Sequence, residues 1–341
     1  MKTALRKTGD VVELEGVKGW SPAERPSSIH AAQAAVMQAV GADVSYDMLV
    51  GVSGLAFRTQ VSKPGLCPSS PHSFCGYRCV ERSVRALPWE VRVYEINESD
   101  KAAAEGAWQA IVESIDRGVP VQYGSEEDGI IVGYLAHGRK RICLHPMHEN
   151  GTSTFIETSW PWGVAVFTGP RADVDSHAAL AVGAFQQAVD MADATEADDY
   201  FVGTRAWQSY INKLQTLDSA DTGTRNGAML GNAWIYECLV HYRGVAARYL
   251  RDTAKAFDSD VSAHLLRAAD AYEDVSTRIL ADASTAAGAI APYEWTLPDG
   301  RSWDGEMRGE QVRRLREAEA RERNAIAEIK HALSRISPPG D

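Results

Sequence analysis

Between residues 117 and 146 apolar runs alternate with turn residues, in the stretch RGVPVQYGSEEDGIIVGYLAHGRKRICLHP. Residues 119–122 are a short apolar run, 124–128 a polar turn, and 129–134 a β-branched and aromatic run suited to a buried strand. Gly138, Arg139 and Lys140 then turn the chain into 141–145, so the pattern predicts an antiparallel meander. Upstream, Ile29, Ala32, Val36 and Val40 recur at helical spacing, with Ser27 or Ser28 as cap and Gly41 as stop. A short helix follows Ser45, 77–87 is amphipathic through Val80, Val84 and Leu87, and 90–96 alternates as a strand. The helix expected at 101–117 carries Trp108, Ile111, Val112 and Ile115 on one stripe, with Ser99 or Asp100 as cap and Gly118 as terminator.

Two further strands are expected at 154–156 and 163–168, either side of the aromatic turn Trp160, Pro161, Trp162. From Asp173 onward the period changes. Ala, Glu and Arg dominate, and helical spacing predicts helices over 174–192, 204–217, 225–257, 261–283 and 304–336, with a loop holding Pro292 and Pro298 before the last. The fold class is therefore α+β: residues 1–170 form a domain with a mixed or antiparallel sheet, and 171–341 form an all-helical bundle.

Composition narrows the function classes. The chain has 341 residues, 45% of them hydrophobic, which is enough for a full core and two domains. A formal charge of −11 argues against a general nucleic-acid or anionic-membrane binder, which needs a basic face. No apolar run reaches the roughly 18 to 20 residues that span a bilayer, and the N-terminal stretch lacks a signal-peptide core, so a cytoplasmic protein is expected. Five cysteines, an odd number scattered along the chain, suit reduced thiols.

The order of the helix at 28–40, VSYDMLVGVSGLAFR, RGVPVQYG and EDGIIVGY resembles the butirosin biosynthesis protein H N-terminal-like family. That family is similar to the papain-like superfamily that includes the bacteriocin-processing double-glycine peptidases. The helical half, through NAWIYECLVHYRGVAARYL and RGEQVRRLREAEARERNAIAEI, resembles the region often attached to it. The resemblance implies a papain-like first domain and a transfer of acyl groups from carrier-protein thioesters to amines. It also implies where a triad belongs. Laid on that pattern, Ala32 falls where the nucleophilic cysteine stands, Glu127 where the histidine stands with Asp128 beside it, and His145 where the aspartate of an Asp-Pro pair stands. The usual Cys-His-Asp triad is missing, so a typical cysteine protease is not expected.

Two function classes compete. One is an acyltransferase or amide-handling enzyme of secondary metabolism, using Glu127, Asp128 and His145 for proton transfer on a small amine or a carrier-protein thioester. The other is a non-catalytic binding or scaffold protein, a pseudo-peptidase. Strand alternation lets only one of the two carboxylates face the nucleophile helix; Glu127 is the choice, and a Glu127–His145 pair is its expected partnership. Cys75, with Cys79, lies near the start of the helix expected at 77 and is the alternative nucleophile, against an ordinary packing role. Cys67, His72, Cys75 and Cys79 crowd together, with His145 and His148 further on, but the spacing fits no zinc signature, so neither metal nor cofactor is expected. Trp160 and Trp162 either wall a ligand pocket or seal the sheet. Asn232, Glu237 and Arg243 interrupt an apolar helix face and point to a domain interface. No nucleic-acid or membrane partner is expected, and a homodimer is left open.

Overall fold

Two glycines in the left-handed region set the lengths of the helices that flank the sheet. Gly41 (φ 79°) ends α1 (Ser28–Ala39), with Ala42 N–H closing back on Met37 O at 2.9 Å, and Gly118 (φ 83°) ends α4 (Lys101–Asp116). Asp100 caps α4 by accepting from the Ala102 and Ala103 amides at 3.0 Å. The structure is a computed structural model and describes residues 3–96, 100–281, 287–297 and 301–336. The expected cap Ser99 and the loop residue Pro298 lie outside the described residues.

The chain divides into two units, one made of residues 1–49 and 83–174 and the other of 50–82 and 175–341. The first holds an eight-stranded antiparallel sheet of β1 (Ala4–Thr8), β2 (Val11–Glu15), β4 (Trp89–Glu95), β5 (Val121–Gly124), β6 (Asp128–Leu135), β7 (Lys140–Leu144), β8 (Phe155–Glu157) and β9 (Gly163–Pro170). Strand β3 (Gln60–Ser62) belongs to the other unit. β6 is the hub: β5 pairs with its first half and β2 with its second, while β7 takes the opposite edge and carries β8. Beyond β5 the sheet continues through β9 to β4. The predicted meander is thus the centre of the sheet.

Register decides what each face buries. Val121 lies opposite Ile131, which lies opposite Cys143, and these pack against Ala107, Trp108, Ile111 and Ile115 of α4. Gln122 and Ile130 face the other way, where α1 packs on β5 and β6. A bulge at Val132 shifts the register, which is why Tyr134 joins the α4 side with Val12 although strict alternation from Ile131 puts it on the other face. The first unit is therefore a sheet with one helix on each face.

In the second unit α5 (His177–Asp193), α6 (Gly203–Thr216), α7 (Thr222–Ala254), α8 (Ser259–Asp274), α9 (Ala287–Ile290) and α10 (Gly305–Leu333) follow in order. The helix expected over 225–257 is one continuous helix of 33 residues that runs from Thr222 to Ala254. Trp207, Tyr210, Tyr236, Leu239 and Leu315 share one buried core with Val61 of β3. A single cut near residue 170 does not describe this arrangement. β3 pairs with β11 (Tyr200–Val202), which pairs with β10 (Glu196–Ala197), so residues 50–82 are held by the helical half. The chain crosses between units within α2 (Tyr46–Val52) and within α3 (Val80–Ala86). A second tie is chemical: the Arg243 guanidinium on α7 donates to Ala56 O at 3.0 Å, Arg58 O at 3.1 Å and the Thr59 hydroxyl. No helix among the described residues is long and apolar enough to cross a membrane.

Candidate functional site

The first turn of α1 meets the start of β6. Ser27 is the residue before the helix, and its hydroxyl does not cap it but lies 2.6 Å from His30 Nδ1 in a buried position. Ser28 opens the helix instead and turns its hydroxyl on the strand: Oγ–H donates to Glu127 Oε2 at 2.5 Å and Oγ accepts from the Asp128 amide at 2.9 Å. Glu127 precedes the first residue of β6, so strand alternation does not govern its side chain, and it reaches the helix from the turn. Asp128 is the first strand residue and shares a face with Gln122, whose Nε2 donates to Asp128 Oδ2 at 2.5 Å. Both carboxylates are therefore tied into the α1 side, through the serine hydroxyl and through Gln122.

Burial sets the charges. Asp128 is 5% exposed, and desolvation pushes its carboxyl up to about 7 despite the Gln122 hydrogen bond, with the Glu127 charge adding to the rise. Desolvation also raises Glu127, opposed by the Ser28 hydroxyl. Helix N-terminal amides favour negative charge here, so the site pairs an electropositive helix end with two acids of raised pKa.

His145 joins this site through the backbone. Its Nε2 lies 3.2 Å from Glu127 O, and its Nδ1 accepts from the Met147 amide at 3.2 Å. A ring nitrogen that accepts an amide N–H carries no proton, so Nε2 holds the hydrogen and donates it to the carbonyl. The imidazole is neutral, desolvation lowers its pKa, and the ring stacks on Tyr123 at 6.0 Å. The expected Glu127–His145 side-chain pair is replaced by a contact to the Glu127 main chain. Accordingly, Glu127→Gln is expected to leave the His145 titration, followed by NMR, below the usual 6.5 and unmoved; a shift above about half a pH unit shows that the carboxylate reaches the ring after all.

Ala32, expected at the nucleophile position, is fully buried one turn into α1, and Ser28 is the residue that meets Glu127. The sequence offered Ser27 or Ser28 only as a helix cap, a role that neither hydroxyl takes. Trp160 is part-buried beneath the Arg141 guanidinium, 4.6 Å from the ring, which fits a sealing role. Trp162 is 67% exposed, and its amide donates to Gly124 O at 3.0 Å, the residue opposite Asp128 in the sheet, so this indole stands at the same sheet end as the two acids.

Neither a family model nor a curated protein matches the chain.

The thiols stand apart from this arrangement. Cys143 points to α4, and burial pushes its thiol up to about 12. Cys75 precedes α3, which begins at Val80, and lies in the second unit in a loop wound around Arg58, whose guanidinium donates to the carbonyls of Ser70, His72, Cys75 and Tyr77. Cys79 is buried, with its thiol raised by desolvation. Among the described residues no group of three or more His, Cys, Asp or Glu side chains is placed to hold a metal, the Cys67, His72, Cys75, Cys79 stretch included. Asn232, Glu237 and Arg243 are each engaged inside the second unit: Asn232 with Tyr210 and Gln311, Glu237 with Tyr293, and Arg243 with Glu322.

Proposed function

We propose that the chain is an acyltransferase or amide-handling enzyme of papain-like descent in which a serine and a carboxylate stand in for thiol and imidazole. The observation that carries this reading is the 2.5 Å bond from Ser28 Oγ to Glu127 Oε2 at the N-terminus of α1. A carboxylate with a raised pKa is a better base than an ordinary one, and a hydroxyl already bonded to it needs no reorientation to lose its proton. In the proposed step Ser28 Oγ attacks the carbonyl of an acyl thioester while its proton passes to Glu127. The C–S bond breaks and the thiolate leaves with that proton; the amine then attacks the serine ester, Glu127 takes the proton its nitrogen releases, and the C–O bond breaks as that proton returns to Ser28 Oγ. Amides of the first turn of α1 supply donors for the oxyanion. His145 and Gln122 hold the Glu127 main chain and the Asp128 carboxyl in place, and the exposed Trp162 offers an apolar platform for the incoming group.

The second reading, a binding or scaffold protein that keeps the papain-like arrangement, draws support from the burial of Ser28 and Asp128, at 4% and 5% exposure. One experiment separates them. Incubation with an acyl-N-acetylcysteamine thioester followed by intact mass spectrometry is expected to show an acyl adduct on Ser28, lost by roughly a hundredfold or more in Ser28→Ala and Glu127→Gln and retained after iodoacetamide. An adduct that iodoacetamide or Cys75→Ser abolishes gives the role to the thiol. No adduct, with Ser28→Ala merely lowering the melting temperature, leaves the scaffold reading standing.

A further inference from the structure

β4 ends the path of the eight-stranded sheet and carries a backbone edge without a strand partner among the described residues. Arg171 N–H donates to Pro88 O at 2.9 Å and Ile96 N–H to Trp162 O at 2.9 Å, so the even-numbered residues of this stretch turn their backbone groups toward β9. The odd-numbered residues Trp89, Val91, Val93 and Glu95 turn theirs outward. The register break beside Glu90 and Val91 places its extra residue, Thr168, on β9, so β4 itself stays regular. Val93 is 65% exposed on this edge, where natural sheets usually carry protection.

We propose that this edge pairs with the same edge of a second copy of the chain, antiparallel about a two-fold axis at Val91. The charges select that register. With the axis at Val91, Val91 meets its own copy and Trp89 meets Val93 in the hydrogen-bonded positions, while Glu90 meets Arg92 twice. Those Glu–Arg pairs occupy the non-hydrogen-bonded positions, where opposed side chains approach most closely. An axis at Arg92 sets two guanidinium groups against each other, and an axis at Val93 leaves Arg92 opposite Tyr94 with no carboxylate. Both charged residues are free to engage: Arg92 rests over the Tyr94 ring at 4.9 Å, and Glu90, its side chain 63% exposed, meets Arg171 only at 3.6 Å. The contact is isologous, as a two-fold pairing requires, and small, so it forms a weak, concentration-dependent dimer.

Sedimentation velocity of the full chain over a concentration series tests this. The expected result is a shift from monomer to dimer with rising concentration, an association weakened roughly tenfold or more by Arg92→Glu, and recovery in the double variant Glu90→Arg/Arg92→Glu, where the pairs are complementary again with signs exchanged. Both substitutions are on exposed side chains, and unchanged thermal unfolding of the variants keeps the result on the surface. A monomer at every concentration, or a dimer that the double variant fails to restore, overturns the proposal.

Discussion

Asp128→Asn is expected to stabilise the protein at pH 8 by up to about 4 kcal/mol and to change little near pH 4. Burial holds the folded carboxyl near 7 against 3.8 for the free group. Between those values the folded state keeps a proton that the unfolded chain has released, so stability falls as pH rises through this window and levels off above about 7. Three pKa units at about 1.4 kcal/mol each set the upper bound, and partial relaxation around the charge reduces it. Asparagine removes the titration and keeps the shape, and its carboxamide oxygen can still accept from Gln122 Nε2. Glu310, its carboxyl held at about 2 by Arg313 and Arg314, contributes stability that is lost mostly below this range, and its part cancels in the difference between two proteins. Chemical denaturation of both proteins from pH 4 to pH 8 measures that difference, and parallel curves show that the carboxyl is not held protonated by burial.

The same substitution bears on the proposed chemistry. A neutral Asp128 adds no charge beside Glu127, which already feels the neighbouring Glu126, whereas an ionised Asp128 raises the cost of charging Glu127 further. Two adjacent acids in unlike surroundings are thus pushed toward unlike roles: one bonded to a hydroxyl, the other enclosed and bonded to an amide.

Much of this site was readable in the sequence, and what was missed has particular causes. Alternating apolar and turn residues locate β5, β6 and β7, because half-buried and buried strands need that composition. Gly41, Gly118 and Asp100 mark helix ends because backbone conformation and orphan amides demand those residue types. Helical spacing identifies the buried face of α1 but not which turn reaches the strand; Ala32 came from the family resemblance, and the residue whose hydroxyl meets Glu127 is Ser28, one turn earlier. Alternation was applied to Glu127 although that residue precedes the strand, so the rule had no hold on it. His145 was read as a side-chain partner; its two ring bonds are to backbone groups, which no residue pattern encodes. The fold of 50–82 onto the helical half was least legible, since β3 is only three residues long, its partner β11 is equally short, and the arginine that bonds the chain before it lies some 180 positions away.

That arginine carries the second large effect: Arg243→Met is expected to cost about 3–5 kcal/mol in urea unfolding. Arg243 is fully buried and bonds Glu322 Oε2 at 2.6 Å, and Glu322 Oε1 accepts from the Trp207 indole and the Thr59 hydroxyl, both at 3.1 Å. Removing the cation strands a carboxylate that is 7% exposed and leaves the Ala56 and Arg58 carbonyls without that donor. Glu322→Gln removes charge but keeps an acceptor for Trp207, so it is expected to cost less than Arg243→Met. The double variant Arg243→Met/Glu322→Leu then separates the contributions. If the ion pair alone matters, replacing both partners by apolar groups returns most of the lost stability. If the carbonyls of 56 and 58 matter as well, recovery stops short by about 1–3 kcal/mol for each one left buried and unsatisfied. Partial recovery is the expected outcome, together with faster proteolysis in the loop at 63–79, because the strand that leads into it has lost its anchor. An Arg243→Met protein within about 1 kcal/mol of the parent shows instead that β3 pairing with β11 holds this segment without the arginine.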